Sequence, residues 1–269
     1  MPKLSHITLS LTLCAFVVIN AYQHNQIQSL IEKDQVSANP SKSDIIVMID
    51  QRLDVVQQRK TKEQFDQLKA EFELADQRTP DDRLIYGSLD ARITLQEFGD
   101  IECPFCRKMH SGLKQVIDHS DGVVNWEFKH FPLKMHNPVA ALQAKAIECV
   151  KASYGNRVAW TTLDQLFAQT GGNGQGVPDM TGFVRSLGLS GQAISMCMAS
   201  DAHEERINRD YQEGQALGIS STPAIRILDH KTGKDYIVKG YKTPEQLLQA
   251  LQHVLRSLQQ ETNVYNLCR

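Results

Sequence analysis

The sequence has no excess of charge of either sign. Its 269 residues include 29 Lys and Arg against 31 Asp and Glu, which gives a formal net charge of -2. Proteins that bind nucleic acid through its phosphates carry a basic surplus, and this composition lacks one. The short run Arg59-Lys60-Thr61-Lys62 suits a solvent-facing helix junction and does not change the balance. The composition therefore favours proteins or small thiols as partners, and no nucleic acid.

Long apolar runs are also scarce. The stretch Ile7–Ala21 follows Lys3, but it is shorter than the roughly 20 residues of a membrane-spanning helix. A basic residue, a short apolar region and a small residue at its end are typical of a secretory signal. Because Ile19 stands where a cleavage site prefers a small residue, residues 1–21 are predicted to be a signal peptide or an uncleaved signal anchor. Either way the chain is periplasmic or otherwise exported, to a compartment where disulfides persist.

Cysteine is infrequent. Two of the six stand in the motif Cys103-Pro104-Phe105-Cys106. A structural zinc site needs four ligands, and no second cysteine pair at ligand spacing accompanies this one, although His110 adds a third candidate ligand. A purely structural disulfide across so short a loop would constrain little of the chain. Redox chemistry is therefore favoured over these two alternatives.

The surroundings of the motif assign different roles to its two cysteines. An apolar segment, Ile93–Phe98, precedes it, and a helical pattern from Met109 to Ile117 follows it. Cys103 therefore lies at a helix N-terminus, where unpaired N–H groups and the helix dipole stabilise a thiolate. We predict that Cys103 is the nucleophile and that Cys106, one turn further on and more shielded, resolves the mixed disulfide.

Two apolar stripes at helical spacing precede the motif. Residues 22–42 are polar and are predicted to form a tether, whereas residues 43–80 carry a first stripe and a second stripe: Ile45, Ile49, Leu53, Val56 and Phe65, Leu68, Phe72, Ala75. We expect two amphipathic helices, or one long helix with a break, with Thr61 and Gln64 as a capping box. The segment is too small to have its own core. We predict that it oligomerises, with packing on the catalytic domain as the alternative.

From Leu84 onward the pattern is that of a single α/β domain. We predict strands at 92–98, 123–130, 224–228 and 235–239. We predict helices at 104–119, 138–153, 157–169, 179–187, 191–199, 201–217 and 244–259. This order is that of a thioredoxin fold at 84–260 with an inserted helical domain at about 136–217. The segment Gly171–Gly176 follows a helix rather than a strand, so we assign it no phosphate site.

These features together resemble the DsbA family of exported thiol:disulfide oxidoreductases. The resemblance runs from about Leu84 to Leu255 and is carried by several short motifs: the CPFC motif, Phe131-Pro132-Leu133, the helix from His136 to Cys149, Leu163-Asp164 with Leu166-Phe167, Gly218-Ile219-Ser220-Ser221-Thr222-Pro223, and Gly240-Tyr241. With its added N-terminal segment, the layout is more similar to relatives that have an oligomerisation segment, such as the suppressor-of-copper-sensitivity (ScsC-like) proteins, than to a minimal monomeric oxidase.

The resemblance implies further site residues. It implies a cis peptide bond before Pro223, beside the redox motif, with backbone groups that pair with an extended substrate. Thr222 matches a position where related isomerases also have threonine. Glu97 matches a buried acid that accepts a proton from Cys106, with an ordinary strand-end glutamate as the alternative. Phe105 replaces the histidine of the oxidases, so the thiolate is less stabilised and the disulfide is a weaker oxidant.

Outside the redox motif, the resemblance implies a structural disulfide between Cys149 and Cys197, with two buried free thiols as the alternative. Cys268 is predicted to be a free cysteine on a mobile C-terminal tail. Three histidines near the motif are assigned to the surface or to packing rather than to catalysis: His110, His130 and His136.

The function that follows is an exported enzyme that exchanges disulfides with protein substrates through Cys103 and Cys106. The sequence leaves open whether it is an oligomeric isomerase or reductase, or a primary dithiol oxidase. A holdase-like binding protein and a metal-handling thiol protein are the alternatives from other classes. We expect unfolded or misfolded exported proteins as substrates, a membrane redox partner, a homo-oligomer, and no cofactor or metal.

Overall fold

The computed structural model describes residues 41–75, 79 and 83–267, with side chains up to Arg256. The predicted signal at 1–21, most of the tether, and the cysteines Cys14 and Cys268 lie outside these residues. The chain divides into two compact units, the first ending at Gln58 and the second beginning at Arg59. Within the described part of the chain, no helix combines the length and the apolar character needed to cross a membrane.

The described residues form eight α-helices and five β-strands. In chain order they are α1 (Lys42–Ala70), β1 (Leu84–Tyr86), β2 (Ile93–Gly99), α2 (Pro104–Asp118), β3 (Val124–His130), α3 (Val139–Tyr154), α4 (Asn156–Gln169), α5 (Met180–Ser186), α6 (Gly191–Met198), α7 (Glu204–Ala216), β4 (Ala224–Asp229), β5 (Asp235–Lys239) and α8 (Pro244–Leu267). Short 3₁₀ turns occupy Glu73–Ala75 and Lys134–His136.

The five strands form one mixed sheet in the order β1-β3-β2-β4-β5. Strands β2 and β3 are parallel, with Gly99 opposite His130, and α2 crosses between them. Strand β4 is antiparallel to β2 and forms a hairpin with β5, while β1 is antiparallel to β3. The central strand β2 therefore leads directly into α2, and the redox motif lies at this junction. The predicted thioredoxin fold with a helical insertion is confirmed.

The hydrophobic core joins the sheet to the inserted helices. Trp126 of β3 and Trp160 of α4 are fully buried, with ring centroids 4.4 Å apart. Met109 and Leu113 of α2 belong to the same cluster. Helices α3 to α6 of the insertion therefore share one core with the catalytic domain, while Tyr211 of α7 packs on a second, smaller cluster that contains Phe98 and Phe131.

Helix α1 differs from the expectation. It is continuous from Lys42 to Ala70, so the expected break and the capping box at Thr61 and Gln64 are wrong. The polar residues between the two stripes are mostly good helix formers and include no Gly or Pro, so nothing in the sequence stops the helix there.

The two stripes have different surroundings, and the second continues past the end of α1 at Ala70. In the second unit Phe65, Phe72 and Ala75 are buried, and Phe72 meets the ring of Tyr86 edge-on at 5.7 Å. Asn156 donates to the carbonyl of Ala75 at 3.0 Å. The second stripe therefore packs on the catalytic domain, which was the alternative to oligomerisation. In the first unit the side chains of the first stripe are 41% to 60% exposed: Ile45, Ile49, Leu53 and Val56.

Most predicted element boundaries differ from the observed ones by one or two residues. Strand β1 is missing from the prediction because three residues are too few to show alternation. Helix α7 begins at Glu204 rather than at 201. Helix α8 continues to Leu267, beyond its predicted end at 259.

Candidate active site

Cys103 occupies the N-terminal cap of α2, and Pro104 is the first helical residue. Proline suits this position because its missing N–H would have no partner there. The pKa of Cys103 is lowered to about 6, mainly by a hydrogen bond from the Cys106 thiol. Burial opposes the shift, whereas the Thr222 side chain and the N–H groups of Cys106 and Phe105 support it. Cys103 is therefore largely a thiolate at neutral pH.

Cys106 has the opposite environment. Its side chain has no exposed surface, and its pKa is raised well above the usual thiol value. Burial is the largest cause, followed by its hydrogen bond to Cys103 and by the charges of Glu97 and Cys103. The N–H of Asp100 donates to the Cys106 Sγ at 3.5 Å, and this hydrogen bond lowers the pKa of Cys106. Both cysteines are free thiols, so the structure describes the reduced pair.

Thr222 and Pro223 lie beside the nucleophile. They are joined by a cis peptide bond immediately before β4. When it is protonated, the Cys103 thiol donates to the carbonyl oxygen of Thr222 at 3.5 Å. The Pro223 carbonyl accepts a hydrogen bond from the N–H of Gly240 at 2.9 Å. The backbone that borders Cys103 is therefore that of Thr222, while the Pro223 carbonyl is engaged within the fold.

Glu97 is fully buried in β2, two residues before the strand ends. Neither carboxyl oxygen has a hydrogen-bond partner among the described residues. Burial raises its pKa to about 8, and the indole N–H of Trp126 opposes the shift without reaching hydrogen-bonding geometry. Negative charge on Cys103 raises the pKa further. A buried carboxyl group that interacts electrostatically with both thiols is suited to exchange protons with Cys106.

Two acids between β2 and the motif, Asp100 and Glu102, were missed by the sequence reasoning. Both side chains are buried. The Asp100 carboxylate accepts hydrogen bonds from the N–H groups of Glu102 and Leu133, each at 2.8 Å, and from Nδ1 of His136 at 2.7 Å. The sequence feature that could have revealed them is the presence of two acids directly after a buried strand and just before the cysteines. They fix the loops around the cysteines.

Glu102 binds the glycine-rich loop Gly171–Gly176. Its carboxylate accepts hydrogen bonds from the hydroxyl of Thr170 and, at 2.9 Å, from the last N–H of the loop. Gly172 has a φ of +73°, and a Cβ there would lie 3.4 Å from the Glu102 carbonyl and 3.9 Å from Pro104. These distances are ordinary van der Waals contacts, so it is the positive φ that favours glycine at this point, where the loop lines the redox motif.

The three histidines near the motif are all buried. His110 packs among aromatic rings, and His130 contacts Glu148 at 3.0 Å. His136 instead reaches Asp100, one of the residues that lead into the motif. None of the three lies at the surface, so the packing alternative holds, and of the three it is His136 that contacts Asp100 in the segment before the cysteines.

Cys149 of α3 and Cys197 of α6 form a disulfide across a sequence separation of 48. The bridge links two helices of the insertion. It leaves Cys103 and Cys106 as free thiols, so the two cysteine pairs are separate.

Comparison with known proteins agrees with this geometry. A family model described as Thioredoxin matches residues 79–253. The crystal structure of DsbA2 from Pseudomonas aeruginosa is 31% identical and covers 66% of this chain and 97% of its own, with a TM-score of 0.59. The crystal structure of BcfH from Salmonella enterica Typhimurium is 20% identical and covers 93% of this chain and 98% of its own, with a TM-score of 0.56. The likeness to BcfH therefore extends over more of the chain.

Part of the chain is also similar to Na(+)/H(+) antiporters named NhaA. The antiporter from Mycolicibacterium gilvum is 26% identical over 143 residues, which is 52% of this chain and 22% of the antiporter. The antiporter from Herminiimonas arsenicoxydans is 28% identical over 141 residues. The chain thus spans about a fifth of the length of these curated relatives.

Proposed function

Since the chain belongs to the thioredoxin family and, within it, to the DsbA group, we propose that it exchanges disulfides with protein substrates through Cys103 and Cys106. In the reducing direction the Cys103 thiolate attacks a substrate disulfide, forms a mixed disulfide and releases one substrate thiolate. Cys106 then gives up its proton and attacks the Cys103 sulfur. This step releases the second substrate thiolate and leaves a Cys103–Cys106 disulfide. Two electrons pass to the substrate, and the reverse steps oxidise a dithiol.

The observation that carries this proposal is the contrast between the two thiols. Cys103 has a pKa of about 6 at a helix N-terminus, whereas Cys106 is fully buried with a raised pKa. Two structural thiols have no need of one ionised and one shielded sulfur. Glu97 is proposed to accept the proton that Cys106 loses. Thr222 is proposed to border the bound substrate chain.

The same pKa supports isomerase or reductase work over primary oxidation. The nucleophilic cysteine of DsbA has a pKa near 3.5, and that of thioredoxin has a pKa near 7. The value of about 6 for Cys103 is closer to the second. A less stabilised thiolate makes the disulfide a weaker oxidant. Phe105 brings no charge to the sulfur, and its exposed ring suits contact with apolar segments of unfolded proteins.

We further propose that the chain is exported and self-associates through the first stripe of α1. The Cys149–Cys197 bridge supports an oxidising compartment. The exposed first stripe supports self-association, which would place several active sites around one misfolded substrate. The partners proposed there are unfolded or misfolded exported proteins and a membrane redox protein that recharges the Cys103–Cys106 pair.

Trapping of mixed disulfides tests the exchange reaction, with scrambled ribonuclease A as the substrate. Cys106→Ser should accumulate a mixed disulfide, because the resolving thiol is gone, whereas Cys103→Ser should form none. Equal trapping by both variants, or trapping by neither, would contradict the proposal. A holdase would bind unfolded protein equally well without either cysteine. The redox state of the pair in cells then gives the direction: mostly reduced supports an isomerase or reductase, and mostly oxidised supports an oxidase.

A further inference from the structure

We propose that His136, acting through Asp100, is a positioning residue for the step in which Cys106 resolves the mixed disulfide. This inference rests on the proposed thiol–disulfide exchange. It concerns the second half of that exchange and leaves the first half, the attack by Cys103, essentially unchanged.

Asp100 meets Cys106 with its backbone and His136 with its side chain. Its N–H lies 3.5 Å from the Cys106 Sγ, and its Oδ2 lies 2.7 Å from Nδ1 of His136. A donor to an ionised acceptor makes a stronger hydrogen bond than a neutral pair does. The Asp100 N–H therefore stabilises the thiolate that Cys106 becomes when it attacks. How well it does so depends on the orientation of the Asp100 backbone.

Three donors fix that orientation. The N–H of Glu102 reaches Oδ1 of Asp100 from the same segment of chain. The other two, the N–H of Leu133 and Nδ1 of His136, reach Oδ2 from the loop after β3. His136 is the side-chain donor of the three, so one substitution removes its contribution and leaves the backbone bonds in place. Asp100 and His136 are 1% and 4% exposed, so bulk water does not simply replace a lost partner.

Loss of the His136 bond weakens the hold on the Asp100 carboxylate. The turn that follows, in which the N–H of Cys103 donates to the Asp100 carbonyl at 3.0 Å, can then shift. A shift moves the Asp100 N–H away from Cys106 and removes support for its thiolate. Cys103 is less affected, because its main stabilising partner is the Cys106 thiol rather than Asp100.

Other ionisable groups also face these residues. Cys103 and Glu97 face Cys106, and their charges disfavour its thiolate. Glu102 lies next to Asp100, and its carboxylate is bound by Thr170 and the glycine-rich loop. A change at His136 leaves all of these groups in the chain. Any pH dependence of resolution that comes from Glu97 should therefore persist in the His136 variants.

The test compares three substitutions in the full exported chain. His136→Asn keeps an amide donor close to the position of Nδ1, whereas His136→Leu removes the donor. His136→Gln is a second loss variant that stays polar, because its amide lies near the position of Nε2. The mixed disulfide of Cys103 with glutathione is prepared, and its decay through Cys106 is followed from about pH 5 to about pH 9.

We expect the Leu and Gln variants to resolve the mixed disulfide about tenfold more slowly than wild type, with the pH midpoint of the decay shifted upward. The Asn variant should stay within about twofold of wild type. The rate at which the reduced protein forms the mixed disulfide reports on Cys103. It should be nearly the same in all four proteins.

His130→Leu is the matched control. It removes another buried histidine that contacts a carboxylate, but its partner is Glu148 of α3 rather than Asp100. This variant should be less stable without resolving more slowly. Unchanged decay in both loss variants, or equal slowing in His136→Asn or His130→Leu, would overturn the proposal. Failure of the proposed function looks different, because wild type would then form no mixed disulfide at Cys103.

Discussion

The Sγ of Cys103 and the carbonyl oxygen of Thr222 lie 3.5 Å apart, although 119 positions separate the two residues in the sequence. The N-terminus of α2 supplies the thiolate, and the segment before β4 supplies the backbone beside it. The two halves of the thioredoxin fold therefore meet at the nucleophile. A substrate chain that lies along Thr222 would bring its disulfide directly to Cys103.

Alkylation of Cys103 should have a pH midpoint near 6, because that is the pKa of its thiol. The largest cause of the low pKa is the hydrogen bond from Cys106. Cys106→Ala should therefore raise the midpoint, whereas Cys106→Ser keeps a hydroxyl donor and should raise it less. Iodoacetamide modification of the reduced proteins, followed by mass spectrometry at a series of pH values, measures this. An unchanged midpoint in Cys106→Ala would mean that the helix terminus alone stabilises the thiolate.

Glu97 should make the stability of the reduced protein depend on pH. Burial raises its pKa from 4.5 to about 8, so between these values the native state keeps a proton that the unfolded state has lost. The native protein therefore loses stability as the pH rises through this window, by roughly 3–5 kcal/mol in total. Glu97→Gln does not ionise and lacks this slope.

Urea unfolding of both proteins near the two ends of that window measures the effect. The Gln variant should gain stability relative to wild type at the alkaline end, where the buried carboxylate is most unfavourable. The difference between the two proteins should be smallest at the acidic end. The same difference at both ends would contradict a protonated Glu97 in the native state.

Removal of the Cys149–Cys197 bridge should loosen the insertion and leave the redox motif unchanged. A bridge across a separation of 48 residues stabilises a fold by about 4 kcal/mol in the chain-entropy estimate, and measured values are often lower. The double variant Cys149→Ala with Cys197→Ala should therefore lose about 2–4 kcal/mol in urea unfolding. Its rate of Cys103 alkylation should equal that of wild type. A changed alkylation rate would show that the insertion controls the nucleophile.

The sequence was sufficient for the elements with clear periodicity and for the residues with intrinsic chemistry. Cys103 and Cys106 are recognisable because their spacing and their position before a helix are local features. Asp100 and His136 are not, because they are 36 positions apart and meet only once β2 and β3 pair in parallel. Their relationship depends on the register of the sheet, which no local pattern contains.

Helix α1 illustrates a second limit of the sequence. Both of its stripes have the same kind of apolar spacing, yet Phe65 is buried and Leu53 is 60% exposed. Periodicity indicates that a face is apolar, but it does not indicate what covers that face. The two alternatives for this segment therefore apply to different stripes. The second stripe packs on the catalytic domain, and oligomerisation is proposed for the first.

The first stripe of α1 should hold two or more copies of the chain together. Complete burial of an exposed apolar side chain contributes about 1.5–3 kcal/mol, and the side chains of this stripe are 41% to 60% exposed, so a contact between copies would remove a substantial apolar surface from water. Deletion of residues 22–58 should give a monomer that keeps Cys103 alkylation and loses the refolding of scrambled protein. The deletion stops at 58 because Phe65 and Phe72 are buried in the second unit.

Phe72→Ala, by contrast, should destabilise the domain by about 3–5 kcal/mol.

Two double variants separate the stripe from the rest of the helix. Ile49→Asp with Leu53→Asp places two charges on the stripe and should give a monomer. Gln51→Asp with Gln58→Asp places the same charges on the opposite face of the same part of the helix, so it should leave the oligomer intact. Light scattering of the full chain at micromolar concentration decides between these outcomes. A monomeric wild type would contradict self-association and the oligomeric isomerase with it, while the exchange chemistry of Cys103 and Cys106 would still stand on its own test.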